Sequence, residues 1–206
     1  MSEVPPRAVD PSARMQIYFQ GILDSACFLY ASANAYKALT GKRVPRESWN
    51  QAITRVPDAA AFLGGPGATE LHHEAAQALI AALLVELSDP GEVFAVDQLA
   101  ATADIAELCA EVSTDTVVLF AYGGPTEFQH PAAHIVCGVA TSVGPPATLH
   151  LACSTAFWGR YLKTGGYDER HHPDLGRWSN DAISVDDGVT IAPNFRWRIT
   201  LSSPHG

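Results

Sequence analysis

The chain has 206 residues, enough for one generous domain. At 47% hydrophobic and 17% charged residues it has the composition of a folded protein, which excludes disorder over the whole chain. Its formal net charge is −9, from 22 acidic against 13 basic residues. The excess is spread over both halves and leaves no basic stripe to match a phosphate backbone, so nucleic acid is not an expected partner.

The chain begins with an arm, residues 1–14, carrying Pro5, Pro6 and Pro11 and little apolar content; residues 15–206 read as one domain. Its opening, Met1-Ser2-Glu3-Val4-Pro5-Pro6-Arg7, lacks an apolar signal core, and the longest apolar run, residues 75–85, contains Gln77 and is too short to span a bilayer. The expectation is a cytoplasmic protein with no membrane partner; the oligomeric state is left open. An alanine-rich helix is predicted over residues 25–39, with Gly41 as its stop. Pro45 opens a short helix to about Thr54, residues 64–67 form a Gly-Gly-Pro-Gly loop, and a second long helix covers residues 72–84. A connector over residues 89–103 holds a short strand at 93–96, followed by a helix at 103–112. Strands are predicted at 116–122, 134–140 and 147–153, and a half-exposed strand with alternating side chains at 195–201. The polar, Gly- and Pro-rich stretch 160–194 reads as a long loop over the sheet. Helices first and strands second imply α+β, a helical half packed on an antiparallel sheet of four to six strands.

Four cysteines, Cys27, Cys109, Cys137 and Cys153, are too far apart for a disulfide framework or a Cys-x-x-Cys metal site. Cys109 reads as a core residue on a helix and Cys137 as one on a strand. Cys27 differs. Asp24 or Ser25 is a good N-cap, which puts Cys27 in the first helical turn. There the backbone N–H groups and the positive end of the helix dipole favour the thiolate. Gln20, seven residues earlier, offers an amide to an oxyanion beside the Cys27 N–H. His134 starts a strand, a place from which an imidazole serves as the base a thiolate needs.

This set, with Gln20 and Cys27 opening a long helix and His134 opening a later strand, resembles the papain-like cysteine peptidases. The resemblance covers residues 17–40 and 134–159, with one residue more between Gln20 and Cys27 than in papain itself. It implies a papain-like α+β fold and thiol-dependent hydrolysis of a peptide or other amide, with acyl transfer open. Cys27 is then the nucleophile, His134 the base and later the acid, and Gln20 the oxyanion donor. No cofactor is implied. The family's third member, an Asn or Asp at the end of the following strand, is replaced by Cys153 and Ser154. Ser154 is the expected partner of His134, with Asp168 as alternative and a bare Cys–His dyad as fallback. Alternation along residues 149–154 puts Cys153 with Leu149 and Leu151, so it is expected to pack rather than react.

Each residue also has a plainer reading: a small buried Cys, a solvated Gln, a strand His. Because the Asn or Asp is missing, the rival reading is a catalytically degenerate papain-like domain acting as a binding or regulatory module. A metal site is a weaker candidate. His130 and His134 are separated by Pro131, which breaks the helix such a pair needs, and no Glu stands beside His130.

Overall fold

The computed structural model describes residues 27–56, 75–123, 134–142, 144–152 and 182–202, with the backbone alone at Gly123 and His134. The first described helix, α1 (Cys27–Thr40), is buried on more than one side. Its small residues Ala31, Ser32, Ala33 and Ala35 let neighbours approach closely, and Phe28, Leu29 and Tyr36 fill the space between. The buried Ser32 hydroxyl is satisfied locally, donating to the Phe28 carbonyl at 3.0 Å. The helix stops as the sequence predicts. Gly41 sits at φ 70° and its N–H donates to the Lys37 carbonyl at 2.9 Å, closing the end in the left-handed conformation that glycine adopts without strain.

Pro45 is extended and precedes α2 (Arg46–Arg55), whose only fully buried residue is Ala52. Next comes α3 (Ala76–Leu87), which runs three residues past the predicted end; residues 72–74 of the predicted helix lie outside the described residues. Ala76, Leu79, Ile80, Leu83, Leu84 and Leu87 form one apolar stripe. Each of its large side chains contributes about 1.5–3 kcal/mol by leaving water. The Gln77 amide on another side of α3 donates to the Val96 carbonyl at 2.7 Å and fixes the helix to β1 (Val93–Gln98).

A short helix, α4 (Ile105–Glu111), separates β1 from β2 (Thr116–Gly123). Asp104 caps it reciprocally: its carboxylate accepts the Glu107 N–H, and Glu107 accepts the Asp104 N–H, both at 2.9 Å. β3 (His134–Ser142), β4 (Thr148–Ala152), β5 (Ala182–Ser184) and β6 (Thr190–Ser202) follow. All six strands form one antiparallel sheet in the order β1-β6-β2-β3-β4-β5. The α+β class and the strand count agree with the sequence reading.

Three expectations need correction. Residues 182–184 and 190–194, assigned to the loop, are strand, because a polar exterior hid the pairing of 182–184 with β4 and of Thr190 and Ile191 with β2. The helices do not keep to one side of the sheet. Phe28, Leu29, Leu83 and Leu84 pack with Val117, Leu119, Cys137 and Trp197 on one face, while Ile105 and Leu108 of α4 pack with Val118, Phe120, Val136, Leu149 and Leu151 on the other. Consequently β6 is not half-exposed: Arg196 and Trp197, adjacent and on opposite faces, are 2% and 1% exposed. The pairing of β2 with β6 also slips, since Phe120 faces Arg196 but Tyr122 faces Ile191, leaving residues 192–195 as a bulge opposite Ala121. Arg196 closes it. Its guanidinium donates to Ile191 and Ala192 at 2.9 and 3.1 Å and reaches Ala100 and Ala103 in the β1–α4 connection.

Candidate active site

Cys27 is the first residue of α1 and is half-buried, its side chain packed at the margin of the α1-side core. Gln20, Asp24, Ser25, Cys153, Ser154 and Asp168 lie outside the described residues, as do residues 1–14, the 64–67 loop and His130. Of the other cysteines, Cys137 is buried in the α1-side core, as expected. Cys109 is half-buried beside the α4-side core, where burial and then the Asp104 charge push its thiol above the ordinary value.

The direction of α1 can be traced through its aromatic contacts. The Phe28 ring meets Trp197 edge-on at 6.2 Å. Trp197 is the register partner of Leu119, and Leu119 of Cys137. Eight residues later, Tyr36 meets Phe94 at 6.0 Å, and Phe94 pairs with Leu201 at the opposite end of the sheet. α1 thus starts toward the end at which β3 begins with His134 and runs toward the end at which β3 finishes with Ser142. It packs on both β2 and β3. The Phe28 contact puts the start of α1 at the level of Cys137, part-way along β3, and the helix runs from there toward the Ser142 end. Within the strand, position 134 is the register partner of Tyr122 and has the parity of Val136 and Gly138, whereas Ile135 and Cys137 belong to the α1-side core.

Two features escaped the sequence reading. The first is a cavity of about 660 Å³ one turn along α1 from Cys27. Tyr30, Ala33 and Val44 lie at its base with Trp49, whose ring meets Tyr30 at 5.5 Å; Arg43, Pro45, Arg46 and Asn50 are exposed at its margin. The signal was available, because Lys37, Lys42, Arg43 and Arg46 concentrate positive charge within ten residues of an acidic chain. Burial and the nearby Arg43 charge both push the Lys37 ammonium below its ordinary value. The second is a contact between the Ser142 hydroxyl and His150 Nε2 at 2.6 Å. This Ser–His pair is exposed on the β3–β4 hairpin, at the opposite end of β3 from His134, and neither residue lines the cavity. Its geometry suits a hairpin clasp, with no base-orienting third group among the described residues.

Among the described residues, no three His, Cys, Asp or Glu side chains gather as a metal site, and no helix is long and apolar enough to cross a membrane. Comparison of the chain with protein-family models, with curated proteins and with solved structures finds no match.

Proposed function

We propose that the protein is a papain-like thiol hydrolase acting on a peptide or other amide bond, with Cys27 as its nucleophile. The observation that carries this reading is the position of Cys27, half-buried at the first residue of a rigid, core-packed helix that starts toward the sheet end where β3 opens at His134. A helix start supplies N–H groups and a positive dipole end to a thiolate.

In the proposed reaction His134, which for this must reach the α1 side of the sheet from the start of β3, takes the Cys27 proton and the thiolate attacks the carbonyl carbon. The oxyanion that forms is held by the Cys27 N–H and the Gln20 amide. The C–N bond breaks as the imidazolium protonates the leaving amine, and a thioester remains on Cys27. Water, deprotonated by His134, releases the carboxylic acid and restores the thiol; an amine in place of water gives transfer. Ser154 is assigned to orient His134.

Alkylation by iodoacetamide, read cysteine by cysteine by mass spectrometry, tests this. Cys27 reacts at least tenfold faster than Cys109 or Cys137 at neutral pH, and His134→Ala removes the difference. Uniformly slow labelling of all the cysteines sinks the reading.

A second reading, a domain that binds without cutting, is favoured by one observation. Position 134 has the parity of the α4-side residues of β3, while Cys27 packs on the α1 side. In that case Cys27 labels slowly and His134→Ala changes nothing.

A further inference from the structure

The cavity beside α1 has a composition that selects a ligand. Its base is apolar and aromatic: Ala33 and Val44 are buried, and Tyr30 and Trp49 are half-buried and in ring contact. Its margin carries two guanidinium groups, Arg43 and Arg46, both exposed. Several other described cations are held by partners. Lys42 is paired with Asp89 and Glu92, Arg55 with Glu86, and Arg198 with Asp97 and Glu111; Arg196 is spent on main-chain carbonyls. Among the described residues neither Arg43 nor Arg46 pairs with a carboxylate, although the chain carries a net charge of −9. Glu47, next to Arg46 on α2, is exposed and does not line the cavity. Two guanidiniums with no carboxylate partner among the described residues therefore flank an aromatic hollow of about 660 Å³, a size that suits a small organic ligand.

We infer that this cavity is a binding site for a small apolar carboxylate, its aryl or alkyl body against Tyr30 and Trp49 and its carboxylate on Arg43 and Arg46. Guanidinium groups donate two parallel hydrogen bonds to a carboxylate, and a half-buried aromatic pair supplies contact area at little entropic cost. An amine of the same shape is repelled, and an alcohol gains the apolar contact alone. The inference does not depend on Cys27 being reactive, since the cavity stands on α1 and α2 whether or not the thiol attacks anything.

The test is calorimetric titration of the full chain with 3-phenylpropionate, 3-phenylpropanol and 3-phenylpropylamine at low salt. The acid binds at least tenfold tighter than the alcohol, the amine does not bind, and added sodium chloride weakens the acid alone. Arg43→Gln and Arg46→Gln each weaken the acid about tenfold, and Arg46→Lys recovers part of the loss. Both arginines are exposed, so these variants keep the fold, which circular dichroism verifies. Trp49→Phe identifies the fluorescence change that accompanies binding. Cys27→Ser leaves the affinity unchanged while abolishing any hydrolysis, so the fate of this site is read separately from that of the hydrolase. Equal affinity for acid and alcohol, indifference to both arginine variants, or no binding of the acid at millimolar concentration overturns the inference.

Discussion

Arg196 places a permanent cation under the α4 side of the sheet and surrounds it with main-chain oxygens. Burial pulls its pKa below the ordinary guanidinium value, with Glu107 opposing, yet the group stays charged because that value starts so high. A guanidinium suits the place because its fork reaches carbonyls on two sides at once: Ile191 and Ala192 in the bulge, Ala100 and Ala103 in the β1–α4 connection. Replacing it by Met keeps much of the volume and strips those carbonyls of their donor. Arg196→Met is expected to lower stability by about 3 kcal/mol, read from the urea midpoint. Arg196→Lys recovers little, since one ammonium cannot span both sides. A midpoint within experimental error of wild type for Met shows that the bulge needs no clasp. In the sequence, alternation put Arg196 outside with Arg198, and nothing local shows that the strand has a second covered face.

α4 has seven residues, too few to hold a helix by propensity alone, and its start depends on the reciprocal bonds between Asp104 and Glu107. Asp104→Ala removes one of those bonds and costs about 1 kcal/mol, measured as a shift of the thermal midpoint. If Asp104→Ala melts with wild type, packing of Ile105 and Leu108 holds α4 without its cap. The legibility of other elements follows the same logic. α3 was visible because a six-residue apolar stripe needs only helical periodicity, and the end of α1 because Gly41 is a local stop. β5 was not, since three residues carry no pattern of their own and depend entirely on β4 for partners. Of the candidate site, the helix that carries Cys27 was legible from its alanine-rich run and its Gly41 stop. The bearing of position 134 on it was not, because strand parity against two cores is a tertiary fact. Nor was the arginine-flanked cavity, whose residues come from two helices and the turn between them.

Across the whole molecule the charge balance sets how stability responds to pH. Tyr36 is buried, and burial, then Glu92 and Asp89, push its phenol above the ordinary 10.0; burial and then Asp104 push the Cys109 thiol above 9.0. Both groups lose protons more reluctantly when folded than when unfolded. Their contribution is fully present below the unfolded values and is lost as pH rises through the folded ones. The thermal midpoint is therefore expected to fall progressively above pH 9, with Cys109→Ala removing the earlier part of the fall. A wild-type profile that stays level above that pH contradicts the assignment. The carboxylates add to the trend, because a chain already at −9 repels itself more strongly as further groups ionise.

The place of β6 has a consequence for how the protein is made. β1 has no neighbour in the sheet except β6, and β2 reaches β1 only across it. The ribosome therefore delivers α1, α3 and β1 well before the strand that carries Trp197 emerges. At a synthesis rate of ~5–20 residues per second the delay is roughly 5–20 s. During that interval the leucine stripe of α3 and the ring of Phe28 lack the β6 side of their shared core. The nascent chain is thus a client for holdase chaperones, and a stop codon before Thr190 leaves β1 unpaired and the sheet divided, a target for proteases.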